Sequence, residues 1–233
     1  MSRRLLFLLG GPIFEATAEK FVPAACSKNA CIVLLLFNSF KKEYLPEYIQ
    51  PWEKRGVSKY HIIYPEKDGT MDVSATSEKI REATGIFIGG GPTDEYQKLY
   101  ATEPIKTLLC EKYRQGVAIA GLSAGAMIVP EMCAYGLGEK EDLPIQILTG
   151  LGLLKNCIIG PHFTERQVLP KMLHAMAQTK ITSGWGINET ACAVFKNEEF
   201  AGIIGKEVYE ITITTFETKD HRVTEKITVF KSN

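Results

Sequence analysis

The chain has 233 residues, 45% of them hydrophobic, 23% charged and 9% aromatic. That is globular composition, and it excludes a disordered chain, a collagen-like repeat and a membrane-spanning bundle. Its 27 basic residues balance 27 acidic ones, so no charge footprint for nucleic acid or an anionic membrane is present.

The first apolar run, Leu5 to Leu9, follows two arginines and precedes Gly10-Gly11-Pro12. Five residues fall short of the ~7–15 of a secretory core, and no small-x-small cleavage site follows, so the run reads as a buried strand. No other apolar run approaches the ~18 residues of a membrane-spanning helix. The expectation is a cytoplasmic protein with no membrane or nucleic-acid partner.

Cys31–Phe37, Tyr60–Tyr64, Gly85–Ile88 and Val117–Ala120 are the next predicted strands. Nearly continuous apolar character in Leu5–Leu9 and Cys31–Phe37 is the mark of strands covered on both faces. Between the strands lie predicted helices over Glu15–Ala25, Tyr44–Arg55, Thr76–Ala83 and Thr93–Gln115, the last broken at Pro104. Such alternation predicts an α/β fold, a mostly parallel sheet flanked by helices on both faces. After Gly125 a short helix over Ala126–Cys133 is expected, then a charged, glycine-rich loop, a strand ending near Gly160, and a helix over Glu165–Gln178. The tail reads as strands over Ala191–Phe195, Phe200–Ile204, Val208–Phe216 and Arg222–Phe230, an antiparallel C-terminal extension of the sheet. No linker, repeat or low-complexity tract interrupts residues 1–233, which read as one domain. Six cysteines sit singly, without a C-x-x-C pair or zinc-like spacing to histidine, so they are expected as reduced thiols with no metal site.

Chemistry concentrates in Val117-Ala-Ile-Ala-Gly121-Leu-Ser123-Ala-Gly125-Ala, where a strand meets G-x-S-x-G and then a helix. Glycines flank a turn too tight for side chains, and the serine projects above the sheet in a strained conformation. The amide of Ala124 faces the same space and suits an oxyanion. A second cluster, Gly89-Gly90-Gly91-Pro92-Thr93, also follows a strand. The amide of Gly90 or Gly91 would complete the oxyanion hole, with Thr93 as the cap of the next helix. A phosphate cradle is disfavoured, because no Gly-Lys-Ser/Thr follows and Asp94 and Glu95 repel anions.

Among four histidines, His162 follows a predicted strand at the sheet's edge, whereas His61, His174 and His221 occupy structural or solvent-facing positions. A serine needs a base and the imidazole needs a carboxylate to fix its tautomer. Asp142, between Ser123 and His162, and Glu189, after Gly184-Trp-Gly-Ile-Asn188, are the two candidates. The residue pattern alone leaves the choice open.

Together these segments resemble the serine peptidases related to dipeptidase E (aspartyl dipeptidase) and cyanophycinase, which share a fold with class I glutamine amidotransferases. The shared pattern is Gly89-Gly90-Gly91-x-Thr93, Gly121-x-Ser123-Ala-Gly125-Ala, Pro161-His162-Phe163 and Gly186-x-x-Glu189, in that order. The resemblance implies a serine exopeptidase acting on short aspartyl peptides without metal or cofactor, as a monomer or homodimer. Ser123 matches the nucleophile, His162 the base, and Asp142 or Glu189 the acid. Arg166, Thr93 and Phe163 are the implied substrate contacts. Of these, Arg166 has the planar fork that pairs with a carboxylate. Pro92 stands where relatives carry an amide side chain, and Gly160-Pro161 and Val168 depart from the cyanophycinase pattern, so the segment is more similar to dipeptidase E. Glutamine amidotransferases carry cysteine at the position of Ser123. A non-catalytic sensor on the same fold and an esterase of the α/β-hydrolase type are the competing classes.

Overall fold

Strand alternation sends Leu6 and Leu8 to one face of the first strand and Leu5, Phe7 and Leu9 to the other, and all five are buried. Such a strand needs cover on both sides. The computed structural model describes residues 3–37, 40–66, 68–138, 143–216 and 223–231, and it shows how that cover is built.

The first half of the α/β fold runs β1 (Leu5–Leu9), α1 (Phe14–Ala24), β2 (Cys31–Leu35), α2 (Leu45–Glu53), β3 (Lys59–Ile63), α3 (Val73–Glu82), β4 (Gly85–Ile88), α4 (Thr93–Tyr100), α5 (Ile105–Arg114) and β5 (Ala118–Leu122). Its five strands are parallel, in the order β1-β5-β4-β2-β3. One face packs on Phe14, Phe21, Tyr48 and Trp52 of α1 and α2, the other on Ile80, Tyr96, Ile105 and Leu109 of α3, α4 and α5. Each fully buried side chain of this kind contributes about 1.5–3 kcal/mol. Pro104 separates α4 from α5, as expected, because it offers no N–H to continue the first helix.

The second half continues with α6 (Ala124–Met127), β6 (Met132–Tyr135), β7 (Gln146–Thr149), β8 (Cys157–Pro161), α7 (Leu169–Thr179), β9 (Ser183–Ile187), β10 (Ala191–Lys196), β11 (Glu199–Gly205), β12 (Glu207–Phe216) and β13 (Val223–Lys231). Strands β10 and β11 extend the main sheet antiparallel from β1 to seven strands. The last two strands do not join it. They form a separate sheet, β13-β12-β9-β8, in which β8 and β9 are parallel and the rest antiparallel. Trp185 of β9 stacks on Phe200 of β11 at 4.4 Å and meets Phe195 of β10 edge-on at 5.3 Å, which ties the two sheets together.

Three expectations need correction. The helix over Ala126–Cys133 is only the four residues of α6, because Pro130 cannot continue it; the chain then pairs β6 with β7. Helix α7 starts at Leu169, after a turn at 163–167, with Pro170 in its first turn where the missing N–H costs nothing. Residues 183–187, over which no element is predicted, are the strand β9.

Candidate active site

Ser123 closes β5 with φ 50° and ψ −109°, a conformation that costs an L-residue about 1–3 kcal/mol and persists only when its surroundings enforce it. The enforcement is visible at two glycines. A Cβ on Gly121 would lie 2.5 Å from the carbonyl oxygen of Gly125, and one on Gly125 would lie 2.4 Å from that of Ile88. The Gly125 amide donates to Gly89 at 3.1 Å, and the Ser123 amide donates to Leu9 at 3.0 Å. The elbow is thereby pinned between the ends of β1 and β4. Its hydroxyl stands at the C-terminal edge of the parallel strands, where such sheets bind ligands.

His162 follows β8 with φ 51°, and Glu189 lies just beyond β9. Because β8 and β9 are parallel neighbours, the two residues emerge at the same edge. Their loops are stitched together: the Phe163 amide donates to Ile187 O at 3.2 Å, the Thr164 amide to Asn188 Oδ1 at 3.2 Å, and the Glu189 amide to Glu165 Oε1 at 3.1 Å. Ser123 Oγ lies 2.8 Å from His162 Nε2, and His162 Nδ1 lies 2.7 Å from Glu189 Oε1. A carboxylate accepts a proton-bearing nitrogen, so Nδ1 donates to Glu189 and Nε2 is left to accept from the serine hydroxyl. Burial lowers the His162 pKa below its ordinary 6.5, and the nearby Arg166 charge lowers it further; Glu189 opposes both. The imidazole is therefore held neutral and basic near neutral pH.

Opposite the histidine, Gly90 is gripped on both sides of its backbone. Its N–H lies 3.5 Å from the Tyr48 hydroxyl, and its carbonyl accepts from the Tyr96 hydroxyl at 3.2 Å. Burial pushes the Tyr48 pKa to about 12, so this phenol keeps its proton. Tyr48, Tyr96 and the Gly10-Gly11 turn are site elements that the motifs did not flag. A Cβ on Gly11 would lie 2.5 Å from Glu189 O and 2.7 Å from Glu189 Cβ, so that turn braces the carboxylate. The signal available was position: Gly10-Gly11 follows a buried strand as Gly89-Gly90-Gly91 does.

A pocket of about 320 Å³ opens over Ser123 and His162, and Arg166, Gly11, Gly90, Gly91, Tyr44 and Glu47 are among its lining residues. The Arg166 guanidinium donates to Gly138 O at 2.8 Å, which fixes its reach. Thr93 and Phe163 are placed differently. Thr93 is the first residue of α4 rather than its cap, a place held by Pro92, and it is buried with its hydroxyl toward Met127 Sδ. Phe163 is buried against Gly186 and Tyr209, as packing beneath the site. Asp142 lies outside the described residues. Among the described residues, Cys31, His61 and Glu82 form one group with metal-ligating side chains, but the Lys59 ammonium already sits 2.7 Å from Glu82. That group is on the far edge strand β3 and its neighbours, remote in topology from β5.

The model of peptidase family S51 matches residues 18–203. A cyanophycinase of Nostoc sp. is 27% identical over 163 residues, 68% of this chain and 55% of its own length. The uncharacterized peptidase YgaJ of Bacillus subtilis is 25% identical over 144 residues, 59% of this chain and 60% of its own. The chain thus spans about half the length of the cyanophycinases that it matches. The crystal structure of a peptidase from an acI-B1 Actinobacterium superposes with a TM-score of 0.64 at 19% identity, over 88% of this chain and 89% of that one. A putative peptidase E protein from Listeria monocytogenes gives 0.58 at 16% identity, over 86% and 98%.

Proposed function

This chain belongs to peptidase family S51, and from that premise we propose that it hydrolyses short peptides bearing an aspartyl residue through a Ser123-His162-Glu189 triad. The observation that carries the reading is the continuous relay of 2.8 and 2.7 Å from the serine hydroxyl through both ring nitrogens to the carboxylate.

In the reaction, Ser123 Oγ attacks the scissile carbonyl as His162 Nε2 takes its proton. Glu189 holds Nδ1–H and stabilises the imidazolium that forms. The amides of Ala124 and of Gly90 or Gly91 receive the oxyanion, each donor worth roughly 10²–10³ in rate. Collapse of the tetrahedral species breaks the C–N bond, and His162 returns the proton to the leaving amine. Water, deprotonated by the same nitrogen, then releases the acyl group and restores Ser123. Arg166, at the pocket wall, supplies the cation for the acidic substrate side chain, and a pocket of about 320 Å³ suits a short substrate.

The test is turnover of Asp-Leu, β-aspartyl-arginine and neutral dipeptides by wild type and Ser123→Ala. Hydrolysis of the aspartyl peptides that disappears in Ser123→Ala is the expected result. Fluorophosphonate labelling of Ser123 without peptide turnover would leave a serine hydrolase of another substrate class, the esterase included. Neither turnover nor labelling would indicate a sensor and overturn the proposal.

A further inference from the structure

The pocket over Ser123 does not stop at the glycine loop. Phe40, Tyr44, Gly90 and Gly91 line it, and the same four residues line an adjoining cavity of about 360 Å³ together with Phe37, Lys41 and Pro92. The two spaces are therefore one cleft that passes over the loop proposed to hold the oxyanion. Arg166 belongs to the first space and the aromatic rings dominate the second.

Those rings hold one another in place. Phe37 and Phe40 meet edge to face at 6.0 Å, Phe40 and Tyr44 at 6.5 Å, and Phe40 and Tyr48 at 5.8 Å. Phe37 also leans on Tyr96 at 5.9 Å. Gly91, with φ 153°, lets Phe37 lie directly on the loop, since a Cβ there would be 2.4 Å from its ring. Tyr44 is left 44% exposed beside this cluster. A rigid group of edge-to-face rings with one open member is a preformed surface for another ring or a large aliphatic group. Among the described residues, the lining of this second space carries the Lys41 ammonium, 3.9 Å from Glu43, and no carboxylate of its own, so an uncharged guest suits it.

We propose that this trough is the subsite for an apolar, preferentially aromatic, substrate residue on the far side of the scissile bond from the acidic residue at Arg166. The assignment rests on the peptidase reading above and adds what the second residue of the substrate must be. The guest's ring takes the place that solvent holds against Tyr44, and its position fixes the scissile carbonyl over Gly90 and Gly91. A substrate with alanine in that place forgoes the contact.

The experiment compares Asp-Phe with Asp-Ala, and pairs kinetics with binding so that the two readings fail separately. Wild type should favour Asp-Phe in kcat/KM by roughly tenfold or more, the lower end of what one methylene is worth in an apolar pocket. Tyr44→Ala and Phe40→Ala should collapse that ratio toward one through KM, and Tyr44→Phe should keep it. Because Tyr44 is half exposed, its truncation leaves the fold intact. Equal kcat/KM for the two peptides would overturn the trough and leave the peptidase standing. If no peptide is turned over, the peptidase reading fails, and calorimetry on Ser123→Ala decides the trough. Tighter binding of Asp-Phe than Asp-Ala, lost in Ser123→Ala/Tyr44→Ala, upholds it; equal binding overturns it.

Discussion

The two sheets contribute differently to one site. The seven-stranded sheet delivers Ser123 from the end of β5, while the four-stranded sheet delivers His162 and Glu189 from the ends of β8 and β9. Its counterpart positions the nucleophile by backbone alone, through glycines that admit no side chain and amides bonded to Leu9 and Gly89. In the smaller sheet the base and acid are positioned by loop-to-loop hydrogen bonds between residues 163–165 and 187–189. One half of the relay is fixed by sterics and the other by polar contacts. The seam between the sheets is thus where the geometry is most easily lost.

The largest effects break one half outright. Ser123→Ala and His162→Ala should each cost roughly 10⁴–10⁶ in kcat, as members of a unit that fails together, with thermal melting unchanged. Gly125→Ala attacks the steric half, since its Cβ would meet the carbonyl oxygens of Ile88 and Gly89 at 2.4 and 2.7 Å. Overpacking of that kind should cost about 1–3 kcal/mol, read as a lower urea midpoint together with lost turnover. Gly11→Ala strikes the seam and pushes Glu189 aside. A displacement near 1 Å at a catalytic group costs about 10²-fold, so kcat should fall on that scale, with a loss of stability of about 1–3 kcal/mol like that of Gly125→Ala because the contacts are again with backbone.

The smallest predicted effect concerns pH. Catalysis needs neutral His162, and burial and then Arg166 hold its pKa below 6.5. The acid limb of kcat/KM should therefore lie below that of an ordinary histidine. Arg166→Gln removes a cation that disfavours the imidazolium, so it should raise that pKa and move the limb to higher pH. A limb that stays still or moves down would mean the arginine does not face the imidazole.

What the sequence discloses tracks these same halves. Strands β1 and β4 match their expected bounds residue for residue, because a strand buried on both faces is one unbroken apolar run. The G-x-S-x-G elbow is equally legible, since its sterics are local. The second sheet was half hidden. Gly184 and Gly186 interrupt β9 because Met172, Met176 and Phe163 occupy the space where their side chains would stand, and glycine is a poor strand signal. With no strand predicted over 183–187, nothing in the residue pattern places Glu189 beside His162, and Asp142 stays open as the acid. Thr93 and Phe163 match the family pattern, yet they serve the packing under the pocket. Tyr44 and Phe40 fall in no motif, and only the fold brings them to Gly90.

The most direct test of the two-sheet relay is kcat/KM for Glu189→Gln and Asp142→Asn measured side by side on one aspartyl dipeptide. Glutamine keeps the shape at position 189 but not the charge, and a triad acid so neutralised costs about 10⁴ in rate. The account predicts that loss for Glu189→Gln and near wild-type turnover for Asp142→Asn. The reverse pattern would contradict it and make Asp142 the acid.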